Sequence, residues 1–311
     1  MDTIAITIAS FVCIIIAGIV ARRIELIGSG GGDLISRLVF NITLPAAIIH
    51  AFGSVDFDPT HLILIPVGVA CTLGPFLLAI PLTRASELED RRLYLLNIGG
   101  LNVGCFALPF VQALFPPAAV VATCMFDAGN ALLMSGGSYA LTQVITADEP
   151  PKHPVAGIAK RLLTSVPFDA YLLLIALAVF GIRVPPMIVQ LLSPIADANA
   201  FLSLFMLGLM INFSVDQKKL GKLARLLGAR IALSACMCAA VLAFLPLEGE
   251  VLLVIAILTW APMATMGTVF TLWMKADYGL AGLATSLSVV AGIIAMTLLS
   301  LYGPGLLQVI G

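Results

Sequence analysis

The chain alternates long apolar stretches with short polar ones. The apolar stretches cover 3–20, 34–51, 61–82, 94–115, 118–145, 166–182, 195–213, 228–246, 251–274 and 280–301. About 20 residues of helix cross a bilayer, so each stretch predicts one crossing. No succession of short segments alternates every second residue, which argues against a transmembrane barrel. The pattern predicts an all-α integral membrane protein with ten transmembrane helices.

The positions of the basic residues check that count. With ten crossings, alternate connections carry Arg22, Arg23 and Arg37; Arg84, Arg91 and Arg92; Lys152, Lys160 and Arg161; Lys218, Lys219, Lys222, Arg225 and Arg230; and Lys275. The opposite connections carry only Arg183. Cytoplasmic loops collect Lys and Arg, so both termini are expected outside and five basic connections inside. Composition agrees: mean hydropathy is +1.10 and 11% of residues are charged, against about 25% in soluble domains. The first stretch is expected to remain in the protein, because its Arg pair follows the apolar run instead of preceding it. All six cysteines fall inside predicted crossings without His at metal-ligand spacing, so neither a disulfide nor a metal is expected.

The longest connection, 146–165, divides ten crossings into five and five, as residues 1–145 and 166–311. An odd number of crossings per half makes the second half enter from the opposite side. Related halves would then form an inverted repeat, as in many secondary transporters. The fourth stretch of each half is interrupted near its centre. One reads Asn97-Ile98-Gly99-Gly100-Leu101-Asn102-Val103-Gly104-Cys105-Phe106-Ala107-Leu108-Pro109, the other Thr259-Trp260-Ala261-Pro262-Met263-Ala264-Thr265-Met266-Gly267-Thr268. Proline removes a backbone donor and glycine adds freedom. Within lipid, freed backbone groups persist only where protein or water satisfies them. Matched interruptions therefore point to a binding site, although single proline kinks are common in membrane helices.

Asp127 is the sole acidic residue deep within a stretch. Nine residues at ~1.5 Å place it about 14 Å below the outer end, near the midplane of a ~30 Å core. A carboxylate there must be paired, hydrated or protonated. Such a group can take up and release a proton as water access changes sides, with Asn130 beside it on the same helical face. Its structural alternative is a carboxylate bonded to an interrupted helix. Asn102 lies about 12 Å from the inner end of the fourth stretch. Its amide offers donors and an acceptor where Gly104 and Pro109 are expected to open the helix. A half-helix starting there would aim unpaired N–H groups at a carboxylate. Thr265, Gly267 and Thr268 could supply the related half of the cradle.

Gly28-Ser29-Gly30-Gly31-Gly32 lacks the Lys-Ser/Thr and strand of a phosphate loop and reads as a connection. His50 reads as interfacial, and the basic run from Lys218 to Arg225 as a contact with anionic lipid. No nucleophile–base arrangement or nucleotide motif is present, so no enzyme, cofactor or nucleic-acid partner is expected.

Several segments resemble the auxin efflux carrier family in its short-loop bacterial form. They are Leu38 to Ala46, with Pro45; Asn102 followed by Pro109; Phe205-Met206-Leu207-Gly208; Asp277-Tyr278-Gly279; and Leu283-Ala284-Thr285-Ser286. Ala107 departs from a glycine usual before the crossover proline, and Met266 stands where the second proline is expected, Pro262 lying about one turn early. The resemblance implies a fold related to bile-acid–sodium symporters: two inverted repeats with broken helices four and nine crossing at the substrate. It implies scaffold helices 1, 2, 6 and 7, through which a homodimer is possible, and transport helices 3–5 and 8–10 that move as an elevator. By the same resemblance, Asn102, Val103, Gly104, Pro109, Pro262, Thr265, Gly267 and Thr268 would bind a small organic anion. The absence of a long central loop favours a bacterial plasma membrane. The function read here is secondary transport of a small carboxylate, with Asp127 and Asn130 coupling protons, or transport driven by membrane potential. The alternatives are a sodium-coupled organic anion symporter and a non-transporting membrane receptor.

Overall fold

A computed structural model describes residues 2–28, 30–55, 57–147, 159, 162–211, 213 and 217–310. Among them the regular structure is helical. In chain order the helices are α1 (Asp2–Arg23), α2 (Gly31–Gly53), α3 (Pro59–Leu82), α4 (Leu88–Asn97), α5 (Val103–Leu114) and α6 (Pro117–Thr146). They continue as α7 (Val166–Val179), α8 (Pro186–Met210), α9 (Gln217–Phe244), α10 (Gly249–Leu258), α11 (Thr265–Trp273) and α12 (Tyr278–Ile310). Among the described residues seven helices are long and apolar enough to cross a bilayer, and α5, α7 and α10 are shorter apolar helices. The protein is a multi-pass membrane protein. Leu77, Leu78, Leu172, Leu173, Leu191, Ile231 and Ile294 are exposed, as expected of surfaces facing lipid.

Packing sorts the helices into two sets. Helix α1 lies along α8, which also packs on the second half of α2, and α7 packs on α2. In the other set α3 lies along α6, α10 packs on α6, α9 and α12, and α11 packs on α4 and α12. Small residues allow the closest approaches. A Cβ on Gly18 would meet the backbone of Phe205 and Gly208, and one on Gly68 or Gly129 would meet the backbone across the α3–α6 contact. Helix α6 changes direction at a π turn, Leu133–Gly137, where Gly136 has φ 133°. Glycine takes that backbone conformation without the steric cost of a side chain.

Two expectations are corrected. Arg230 does not sit in a connection: it is buried in the middle of α9, a helix that begins well before residue 228. Gly104 and Pro109 do not open the fourth stretch, because the helix is already interrupted at 98–102. Pro109 is instead the second residue of the α-helical part of α5, after the π turn Val103–Ala107. The second interruption runs over 259–264 and contains Pro262, as the sequence predicts. Most of the 146–165 connection, with Lys152, Lys160 and Arg161, lies outside the described residues, as does Ser29.

Candidate functional site

The two interruptions lie side by side. Leu101 and Met263 form an isolated antiparallel bridge. Asn102 N–H donates to the Pro262 carbonyl at 2.8 Å, and Ala264 N–H to the Gly100 carbonyl at 3.2 Å. Side chains satisfy what the bridge leaves over. Met263 N–H donates to Ser288 Oγ (2.9 Å), and Leu101 N–H to Asn130 Oδ1 (3.3 Å). Asn130 Nδ2 returns a bond to the Leu101 carbonyl (2.9 Å). Arg230 Nη1 donates to Ile98 O (2.8 Å) and its Nη2 to Ala261 O (3.1 Å). Non-helical backbone at membrane depth requires such partners. Gly100 belongs here for space, since a Cβ would meet Met134 Sδ.

Asp127 faces the same place. It is 7% exposed and accepts bonds from Asn130 Nδ2 at 2.8 Å and from the Tyr171 hydroxyl at 2.7 Å. Gly104 makes room for it, because a Cβ there would lie 3.2 Å from Asp127 Oδ2 and 3.1 Å from Leu44 Cδ2. Asn130 thus joins the carboxylate to the interrupted backbone, and Tyr171 joins it to α7.

A cavity of about 350 Å³ opens beside the bridge. Asn102, Val103, Gly104, Asp127, Asn130 and Thr265 line it together. Its apolar wall includes Phe40, Phe168, Tyr171, Phe270 and Trp273. Helices α5 and α11 both start at this cavity, after Asn102 and Ala264, and neither start is capped by a side chain. Uncapped first-turn N–H groups and the positive dipole end attract an anion. Asn102 Nδ2 is buried without a hydrogen-bond partner at the same wall.

The remaining predicted residues do not line this cavity. Pro262 borders a separate cavity of about 70 Å³ with Arg230 and Ser288. Gly267 packs against α4, where a Cβ would lie 2.7 Å from Asn97 Oδ1 and 2.9 Å from Leu96 O. Thr268 Oγ1 lies 3.2 Å from Thr285 Oγ1 and faces a different cavity. Pro109 lines a second large cavity, about 380 Å³, with His50, Ser54, Gln112 and Asp197. That cavity lies further along α2 and α5, beyond the buried Leu44, Ile48, Phe106 and Leu108. Tyr171 and Arg230 were not singled out from sequence. An aromatic residue near a helix start reads as core, and Arg230 blends with the basic residues before it.

Residues 3–151 match the family model described as membrane transport protein. A protein of Methanothermobacter thermautotrophicus described as an uncharacterized transporter is 21% identical to this chain over 301 residues. The aligned stretch covers 94% of this chain and 96% of that relative. Both the family model and this relative are described as membrane transport proteins or transporters. The paired interruptions bring two helix starts and the unpaired Asn102 Nδ2 to one cavity.

Proposed function

We propose that this multi-pass membrane protein is a secondary transporter of small carboxylates, built as ten crossings in two inverted five-helix repeats. The observation that carries the reading is the buried, unpartnered Asn102 Nδ2 beside the starts of α5 and α11. A buried donor without a partner costs about 1–3 kcal/mol, which an anionic ligand would recover. The antiparallel pairing of 98–102 with 259–264 supports crossing of the two broken helices, α4–α5 and α10–α11.

The two helix sets support an elevator: α1, α2, α7 and α8 as the scaffold, and α3–α6 with α9–α12 as the moving unit. The cavity at Asn102 also includes Thr164 and Ser165, next to the basic central connection, and so opens to the cytoplasm. The cavity at His50 is its counterpart on the periplasmic side of a bacterial inner membrane. Asp127 couples protons to this movement, its contact with Tyr171 spanning scaffold and moving unit. Uptake into proteoliposomes from a panel of labelled mono- and dicarboxylates, under imposed proton and sodium gradients, tests the reading. Proton-dependent uptake of at least one carboxylate is expected; failure of the whole panel would contradict it.

A further inference from the structure

Arg230 is 4% exposed at the middle of a membrane helix, and no carboxylate pairs with it among the described residues. An isolated buried cation is costly unless its donors are satisfied by groups of opposite sign. Its partners are the carbonyls of Ile98 and Ala261, one from each interruption. Ile98 caps the C-terminal end of α4, where the backbone carries partial negative charge, and Ala261 lies three residues past the end of α10 in the unwound backbone of the second break. Broken-helix transporters place coupling cations at such unwound carbonyls and half-helix ends. A guanidinium stays charged and presents a rigid fork of donors, so one side chain can hold both carbonyls.

We propose that Arg230 is the built-in cation of the two breaks. It takes the carbonyls that a coupling metal ion would use, fixes the spacing of α4 and α10, and makes carriage of an anion independent of sodium. Arg230 is a positioning residue, since it acts on the anion site through the backbone of both breaks. This inference rests on the anion-transport reading, but part of its test does not.

The test uses the full-length purified protein. Thermal unfolding is followed as sodium chloride replaces potassium or choline chloride at constant ionic strength, for wild type, Arg230→Lys, Arg230→Gln and Arg230→Ala. The wild-type midpoint is expected not to respond to sodium specifically. Arg230→Ala is expected to be less stable and to regain stability with millimolar methylguanidinium but not with choline; the exposed Arg225→Ala should show no such rescue. Carboxylate binding should survive in Arg230→Lys to within about tenfold and weaken about ten- to hundredfold in Arg230→Gln. A saturable, sodium-specific rise in the wild-type midpoint would overturn the proposal, and so would wild-type carboxylate affinity in Arg230→Gln. If the neutral variants fail to fold, the sodium titration of wild type and of Arg230→Lys decides. If no carboxylate is taken up at all, the transport reading fails, while the sodium titration and methylguanidinium rescue still decide the role of Arg230.

Discussion

The Tyr171 hydroxyl donates to Asp127 Oδ2 at 2.7 Å, linking α7 to the buried carboxylate of α6. Asn130 holds the other oxygen and the carbonyl of Leu101, so the chain of bonds runs from one helix set into the interrupted backbone. A change in the charge of Asp127 is therefore felt at both ends. In the proposed cycle the Tyr171 bond breaks when the moving unit slides past the scaffold.

Asp127→Asn keeps the volume and some hydrogen bonding but fixes the group as neutral. Transport in proteoliposomes should lose its response to an imposed pH gradient while exchange of substrate for substrate continues. Tyr171→Phe should lower stability by about 0.5–1.5 kcal/mol, the ordinary worth of a hydrogen bond. Unaltered proton-driven rates in well-folded Asp127→Asn would shift the mechanism to membrane potential.

Two glycines separate packing from binding. A Cβ on Gly267 would press on the Leu96 carbonyl and Asn97 Oδ1, so Gly267→Ala should cost about 1–3 kcal/mol of stability through overpacking. A Cβ on Gly104 presses less tightly, on Asp127 Oδ2 and Leu44. Gly104→Ala should therefore disturb substrate affinity and proton dependence more than the unfolding midpoint. Thermal unfolding alongside uptake distinguishes the two.

How much of this was legible follows from contrast. Asn102, Asp127 and Asn130 stand out because each is polar inside an apolar stretch, and the structure brings all three to one cavity. The interrupted stretches were legible too, but not their limits. Pro109 reads as a helix breaker yet sits inside α5, directly after the π turn Val103–Ala107, while the break itself lies earlier, at the bridge with 259–264. Sequence counts charges and cannot see where a long helix begins, so Arg230 passed for part of a basic connection. One signal could have found it: Arg230 is followed immediately by Ile231, Ala232 and Leu233, inside the apolar stretch 228–246.

The link between α11 and α12 gives a pH prediction. Burial works to raise the Asp277 carboxyl, but Lys219, the Leu280 N–H and Lys222 together hold it below its ordinary 3.8. A depressed carboxyl stabilises the fold above its unfolded pKa and loses that contribution as pH falls through the folded value. Asp277→Asn should thus be less stable than wild type by about 1 kcal/mol at neutral pH, the scale of a lost helix cap. The gap should close below about pH 4, as carboxyl groups protonate. Thermal unfolding across pH measures it.

Orientation can be read from the two ends of the α10–α11 pair. Glu248 and Lys275 are both exposed and flank it. In a background lacking the native cysteines, Glu248→Cys should react with an impermeant thiol reagent added outside intact cells, and Lys275→Cys should not. Labelling of Lys275→Cys from outside would contradict the charge-based topology.

The central claim is that the crossing of the two breaks binds an anion, and Asn102→Ala measures it most directly. Its Nδ2 has no protein partner, so the change should not weaken the fold. Removing a donor to a charged ligand is worth roughly 1.5–3 kcal/mol, or about ten- to a hundredfold in affinity. The measurement is the dissociation constant of the purified variant for a carboxylate that wild type carries, taken beside its unfolding midpoint. A ten- to hundredfold weakening at a midpoint no lower than that of wild type is the predicted result. Wild-type affinity in the folded variant would contradict the account and move the substrate away from the crossing.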